Sequence, residues 1–546
     1  MARSRNLRRS LAPLRHGFGS RAAAWIIVLA LTSACASLPP GSAFPKMASS
    51  ALRYPDQTLL GRQFDSAARE HGGTSAFRIL SAGVDGFLAR AQMINAAERT
   101  LDLEYFIFRQ DETGQLLTDA LLRAADRGVR IRLLIDDGDT LDGDERIAAL
   151  SAHPGVEIRI FNPFVYRGHA KLLRAVEFAF TVSRLDYRMH NKLLVVDNAI
   201  ALVGGRNIGD QYFQVDSDSQ FGDDDVFAAG PIVGQLSLSF DEFWNSAVAI
   251  PVEALGNGIP SAKVLSAYRE QLDAHRLELK MDGTAFASRV ATGEPLAGML
   301  AGTARLVWAH ARLIYDSPEK KRVADGEMIG KLMHPVVAAA AMEVHSELLM
   351  VTPFLRPGAA GMRMVEDLRT RGVRVRVLTN SLESTPEVFA QSGYMHYRVP
   401  LLTDGVELYE VRALLGNARG SGETLAATRS GNYALHAKLF VFDRQRLYIG
   451  SMNFDERSRS LNTEIGLIID SPELALQTAM RFESIVAPEN SYRLALREGD
   501  AGGGLRLLWR TRENGKAIDY DTEPARSDWQ RMKVNLLSLL SLDKEL

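Results

Sequence analysis

Apolar and polar residues alternate through Thr100-Leu101-Asp102-Leu103-Glu104-Tyr105-Phe106-Ile107-Phe108, then recur at helical spacing over 115–127. A second apolar run follows in Val129-Arg130-Ile131-Arg132-Leu133-Leu134-Ile135-Asp136. A period of two predicts a strand and spacings of three and four predict a helix, so the stretch reads as a strand, a helix and a strand. The same order returns far downstream over 347–351, 361–370 and 373–378. Strands alternating with helices predict an α/β protein whose mixed sheets are flanked by helices.

The two halves share more than their hydrophobic pattern. Met189-His190-Asn191-Lys192-Leu193-Leu194-Val195-Val196-Asp197 is answered by Leu435-His436-Ala437-Lys438-Leu439-Phe440-Val441-Phe442-Asp443, both His-x-Lys-x4-Asp. A glycine stands seven residues after each aspartate and an asparagine three later: Gly204 and Asn207, then Gly450 and Asn453. Two strings with the same offsets point to an internal duplication. His169-Ala170-Lys171 imitates the motif, but Val176 stands where its aspartate belongs.

Side chains on a strand alternate between faces, so His190 and Lys192 point one way and Asp197 the other, and likewise His436, Lys438 and Asp443. An imidazole beside an ammonium suits an anionic substrate, with the histidine attacking or moving a proton. Both aspartates read as structural. Lysine stands where a second zinc ligand would be wanted, so no metal is expected. The glycines let the backbone approach a ligand, and a helix just beyond would aim free N–H groups at a phosphate. A carboxylate that accepts from one imidazole nitrogen fixes the tautomer of the other; Asp223 is assigned this task in the first copy and Glu464 in the second.

These strings resemble the phospholipase D superfamily. Arg188-Met189-His190-Asn191-Lys192, Val203-Gly204-Gly205-Arg206-Asn207-Ile208-Gly209-Asp210, Gly405-Val406-Glu407-Leu408-Tyr409-Glu410 and Leu461-Asn462-Thr463-Glu464 look like its C-type bacterial cardiolipin synthases. The resemblance implies two repeats related by a pseudo-twofold axis with the active site where they meet. It makes His190 the nucleophile and His436 the general acid and base, with Lys192, Lys438, Asn207 and Asn453 holding the phosphate and no cofactor. Gly205 faces Ser451 in the second copy, so a hydroxyl contact is expected on one side only.

Charge and composition narrow the partners. With 46% hydrophobic and 24% charged residues, the chain is ordinary globular material. Residues 1–34 hold six arginines and no acid, and the rest of the chain carries 58 basic against 66 acidic residues, a poor footprint for nucleic acid. Those first 34 residues read as a signal peptide: a basic region with Arg8-Arg9, then an apolar run over 22–31 too short to span a bilayer. Thr32-Ser33-Ala34-Cys35 resembles a lipobox, with Cys35 as the lipidation site and the bacterial envelope, periplasmic or exterior face, as the destination. One cysteine allows no intrachain disulfide.

The expected layout is a tether and docking segment over 35–75, a first phospholipase D-like domain over 76–255, a connector over 256–345, a second such domain over 346–490 and a C-terminal segment over 491–546. Core packing is the default for the connector's run Leu306-Val307-Trp308-Ala309. Ser527 caps a final helix whose Trp529, Met532, Leu536, Leu537 and Leu540 share one face, for which packing on the protein is favoured over lipid. The closing Asp-Lys-Glu-Leu is discounted as a retention signal.

The resemblance implies a phosphatidyltransferase making cardiolipin from phosphatidylglycerol and a second phospholipid, such as phosphatidylethanolamine, through a phosphohistidine. Its partner is a phospholipid membrane, with room for an accessory protein; the oligomeric state stays open. A hydrolytic phospholipase D would use the same residues. A superfamily nuclease is disfavoured by the acidic mature chain, and a non-catalytic lipoprotein by two intact motifs.

Overall fold

The computed structural model describes residues 39, 41–139, 144–168, 170–215, 219–255, 261–282, 285–293, 295–300, 304–415, 432–498 and 504–539. The signal segment, Cys35, His169, Leu540 and the closing tetrapeptide lie outside the described residues.

The first half supplies nine strands: β1 (Ser75–Leu80), β2 (Thr100–Tyr105), β3 (Arg130–Asp136), β4 (Val156–Phe161), β5 (Lys192–Val196), β6 (Ile200–Gly204), β7 (Ser219–Gly222), β8 (Asp225–Ala229) and β9 (Ala249–Pro251). After β10 (Val307–Tyr315), the second half adds β11 (Glu347–Val351), β12 (Arg374–Asn380), β13 (Glu407–Val411), β14 (Asn432–Leu435), β15 (Leu439–Phe442), β16 (Arg446–Gly450), β17 (Ile465–Asp470) and β18 (Ser491–Glu498). The hairpin of β19 (Leu505–Glu513) and β20 (Lys516–Tyr520) continues from β18.

Pairing runs β1–β8–β6–β5–β2–β3–β4–β9 in one half and β10–β17–β16–β15–β11–β12–β13–β18 in the other. The two orders match strand for strand, with β2–β3–β4 and β11–β12–β13 as the parallel cores. Their edges meet where Ser75, Ala76 and Phe77 pair antiparallel with Ala309, Trp308 and Val307, so one sheet runs through both halves. This changes the reading of the connector. Its apolar run is the start of β10, which holds the place in the second half that β1 holds in the first. Low sequence periodicity hid it, because β10 faces solvent along part of its length.

The predicted strand–helix–strand units are present as β2, the helix Glu112–Asp126 and β3, and as β11, the helix Gly358–Thr370 and β12. Asp111 caps the first of these helices by accepting from Gly114 N at 3.2 Å. Helices Pro231–Asn245 and Pro472–Ile485 cover the shared face, where one apolar core joins Phe77, Val195 and Trp244 to Leu349, Leu467 and Phe482. Separate cores fill the opposite faces of the two halves. Burial on both faces explains why the central strands read as nearly continuous apolar runs.

Candidate active site

Each motif strand is anchored at its far end by its aspartate. Asp197 and Asn198 turn β5 into β6 with φ of 53° and 52°, and Asp443 and Arg444 turn β15 into β16 with 51° and 54°. Two successive positive φ values suit the twist of a tight hairpin, and aspartate and asparagine tolerate them better than most residues. The Asp197 carboxylate accepts from the backbone N–H of Glu98 (2.9 Å), Arg99 (2.8 Å) and Thr100 (2.8 Å). Asp443 does the same for His345 (2.9 Å), Ser346 (2.7 Å) and Glu347 (2.9 Å). Each aspartate thus ties its hairpin to the start of the neighbouring antiparallel strand, β2 or β11.

At the other end the two halves interlock. His190 N donates to Thr463 O and Thr463 N to Arg188 O, both at 2.9 Å. In the related place β7 runs parallel to β14, and His436 N donates to Gly222 O at 2.8 Å. Each histidine therefore lies beside the residue that precedes the other copy's carboxylate. His190 Nδ1 meets Glu464 Oε2 at 2.9 Å, and His436 Nδ1 meets Asp223 Oδ2 at 2.5 Å.

This corrects the assignment of each carboxylate to its own copy. The partners are exchanged across the interface, a pairing invisible to local spacing. Bonding through Nδ1 directs Nε2 of each ring away from its carboxylate.

Aromatic rings set the imidazole planes. Phe221 stacks on His436 with centroids 5.3 Å apart and Tyr212 meets it edge-on at 5.2 Å, while Phe106 stands edge-on to His190 at 5.2 Å. Lys192 Nζ donates to His190 O at 2.6 Å and lies 5.2 Å from the Phe106 ring centre. Lys438 Nζ lies 3.2 Å from His436 Nε2 and donates to His436 O.

The two carboxylates are supported differently. Glu464 accepts from Ser451 Oγ (2.5 Å) and Ser458 Oγ (2.7 Å), so the one-sided hydroxyl contact is present. At Gly205 a Cβ would lie 2.1 Å from Asp223 Oδ1, so glycine is what leaves room for Asp223. Burial raises Glu464 to about 7, although Lys192 and the two hydroxyls favour its charge. Burial would also raise Asp223, but His436, Lys438 and Arg206 together hold it well below the carboxylate range.

Burial, then the ammonium groups of Lys192 and Lys438, keeps His190 well below the ordinary imidazole range. Burial and Lys438 push His436 down to about 3 against the pull of Asp223. Lys192 is held well below its usual value and Lys438 is lowered to about 8, in both cases chiefly by burial.

The asparagines are not equivalent. Asn207 is spent on structure: Oδ1 accepts from Ile107 N at 3.2 Å, and Nδ2 donates to Tyr212 Oη at 2.9 Å. Asn453 Oδ1 is buried without a hydrogen-bond partner. The free helix N-termini expected beyond the glycines are not found. Asp455 caps the short helix Glu456–Ser460 through Ser458 N at 2.7 Å, and at the start of the four-residue helix Asp210–Phe213 the Asp210 N–H donates to Asp111 Oδ2 at 2.8 Å. Acidic capping residues outcompete a phosphate for these N–H groups because they are part of the chain.

Several supporting residues escaped sequence reading. Asp316 accepts from Glu464 N (3.0 Å) and Lys320 Nζ (2.9 Å), and Lys320 also donates to Asn462 O (2.8 Å), so a fully buried ion pair braces the Glu464 segment. Asn191 donates to Glu104 and sits 3.3 Å from Thr463 Oγ1. Burial raises Glu104 to about 8. A charged residue inside a strand's apolar run was the available signal for Glu104. Nothing local pointed to Asp316 or Lys320.

Residues 91–244 and 338–486 match the family described as "Cardiolipin synthase, PLD-like domain". Over 483 residues, 87% of this chain and 97% of the relative, the sequence is 35% identical to cardiolipin synthase C of Escherichia coli (strain K12). An uncharacterized protein of Helicobacter pylori is 29% identical over 89% of this chain and 93% of its own. Among solved structures, phosphatidylserine synthase of Haemophilus influenzae Rd KW20 aligns with a TM-score of 0.48 at 14% identity, covering 79% of this chain and 91% of that one. The chain belongs to the cardiolipin synthase group of phospholipase D-like proteins, and it is a phospholipase D-type enzyme.

Proposed function

We propose that the protein is a phosphatidyltransferase that makes cardiolipin from phosphatidylglycerol and a second phospholipid. The observation that carries this reading is the pair of exchanged His–carboxylate contacts, which face two buried lysines across the junction of the repeats. The relative named cardiolipin synthase C, matched over nearly its whole length, supports the choice of substrate.

In the first step His190 Nε2 attacks the phosphorus of the donor. The P–O bond to the headgroup alcohol breaks, His436 gives that oxygen its proton, and a phosphatidyl-histidine remains. In the second step His436 takes the proton of a phosphatidylglycerol headgroup hydroxyl. That oxygen attacks phosphorus, cardiolipin forms and His190 is released. No cofactor takes part.

The unequal carboxylates favour this division of labour. An ionised Asp223 stabilises a protonated His436, whereas Glu464, near neutrality, leaves His190 the better unprotonated nucleophile. A phosphodiester anion offsets the two ammonium charges that depress both imidazoles. Lys192 and Lys438 stabilise the phosphoryl oxygens, and Asn453, whose Oδ1 has no partner, offers an N–H contact once its amide is rotated. Cys35 supplies a lipid anchor at the envelope membrane.

The test is purified protein in liposomes containing phosphatidylglycerol, with and without phosphatidylethanolamine, followed by mass spectrometry. Cardiolipin should form with the unaltered chain and not with His190→Ala. Phosphatidic acid as the sole product across all mixtures, with candidate accessory proteins supplied, would establish the hydrolase instead.

A further inference from the structure

Two helices carry apolar side chains that the described protein leaves uncovered. On Lys171–Leu185, Leu172 (74% exposed), Leu173, Val176 and Phe180 (69%) face solvent at helical spacing. On Asp528–Ser538, Trp529 (67%), Met532 and Leu536 are exposed, as is the capping Leu539 (79%), and Val534 is the buried residue. The second case corrects, for Trp529, Met532 and Leu536, the expectation that this stripe packs on the protein, while Leu537 is half-buried. Isolated exposed apolar residues are ordinary, but contiguous stripes mark a surface that meets another apolar phase.

Both stripes stand at the rim that holds the histidines. Just past the end of β4, Asn162 Nδ2 donates to Arg184 O and Tyr187 O, each at 2.8 Å, which ties down the C-terminal end of the first helix. Asp186 then pairs with Arg457 at 2.6 Å, and His190 follows four residues on. In the second repeat, Asn380 at the end of β12 brackets Leu435, beside His436, at 2.9 and 2.8 Å. The C-terminal helix is tied to the residues just after β12, with Gln530 Nε2 donating to Leu382 O at 2.7 Å.

The chain also enters near this edge. Lys46 Nζ donates to Ala249 O in β9 at 2.8 Å, beside the end of β4. Phe44 and Met47 are exposed there. Six residue steps lead from Cys35 to Gly41, a reach of roughly 20 Å.

At 15 residues, kinked at Thr181, and at 11 residues the helices are too short to span a bilayer, and a helix with one exposed apolar face suits the bilayer interface. We propose that these two helices, one in the first repeat and one in the C-terminal segment tied to the second, are bilayer-docking elements that seat the rim carrying His190 and His436 on a phospholipid surface. The inference rests on the phosphatidyl-transfer reading, because a site that draws its substrate from a bilayer has to meet it. A protein partner covering both stripes would close the rim between them. A lipid surface covers them and delivers the substrate.

The test uses the full chain with Cys35→Ser, which removes the sole thiol and the expected anchor. A solvatochromic dye is attached at Phe180→Cys, or at Ser66→Cys on the helix Leu59–Glu70, which lies near the start of β2. With phosphatidylglycerol vesicles, the dye at position 180 should shift to the blue and be quenched by brominated acyl chains, while the dye at position 66 stays aqueous.

In the otherwise unaltered chain, Leu172→Glu with Phe180→Glu should lower turnover of vesicle phosphatidylglycerol at least tenfold. Turnover of a monomeric short-chain phosphatidylglycerol should stay within twofold. An unshifted dye at 180, equal losses on both substrates, or a self-associated particle that the double variant dissociates overturns the proposal. Lack of turnover on either substrate by the unaltered chain defeats the transfer reading instead, and the dye still decides docking.

Discussion

Glu464 and Asp223 occupy related positions, yet burial leaves Glu464 near 7 in spite of two donating hydroxyls, while Asp223 stays ionised far below. A free-enzyme pH profile should therefore be a bell. As pH rises through about 7, the His190–Glu464 pair loses a proton, Glu464 becomes the charged acceptor that orients His190, and kcat/KM climbs. Above about 8, Lys438 loses its charge and the rate declines. Ser451→Ala removes a donor that steadies the Glu464 charge, so the acid limb should move to higher pH; an unmoved limb would detach it from Glu464. Gly205→Ala places a methyl group 2.1 Å from Asp223 Oδ1. It should cost about 1–3 kcal/mol in denaturant titrations and lower turnover more than stability, by displacing Asp223 from His436.

Hairpins β5–β6 and β15–β16 show how an element was readable before its surroundings were. Strand alternation pointed each aspartate away from its histidine; the structure sets it just past the strand end instead, in a turn that holds it at positive φ. What each aspartate bonds to was not readable, since the three N–H groups come from a segment about a hundred residues earlier in sequence. Asp197 is fully buried and Asp443 only partly. Asp197→Ala should thus leave buried donors unpaired and cost about 2–4 kcal/mol, whereas water can replace much of what Asp443→Ala removes, for about 1 kcal/mol. Equal denaturant midpoints for the two variants would contradict this. Strand β10 shows the opposite case: without clear alternation, only its pairing with β1 and β17 reveals it as part of the duplicated sheet.

At the scale of the molecule, the site exists because two repeats exchange carboxylates, and the segment between them helps to hold the exchange. Lys320 and Asp316 are buried completely and brace the chain around Glu464. Lys320→Met leaves the Asp316 charge and two carbonyls without their donor, so a loss of about 3–5 kcal/mol is expected, with turnover falling further than the folded fraction. Thermal unfolding and rate measured at one temperature separate the two effects. A variant as stable and active as the unaltered chain would remove this brace from the account.

The sequence alone determined the duplication, the strand–helix–strand order, and the paired histidines and lysines, because each is a matter of residue type at short spacing. Only the tertiary structure decided that Glu464 serves His190 and Asp223 serves His436, and that Asn207 is spent on Tyr212. It also decided that β10 opens the second repeat and that the last helix turns its apolar stripe outward. Each of these depends on contacts between residues far apart in the chain. Periodicity reports which face of an element is apolar, but not what lies against that face.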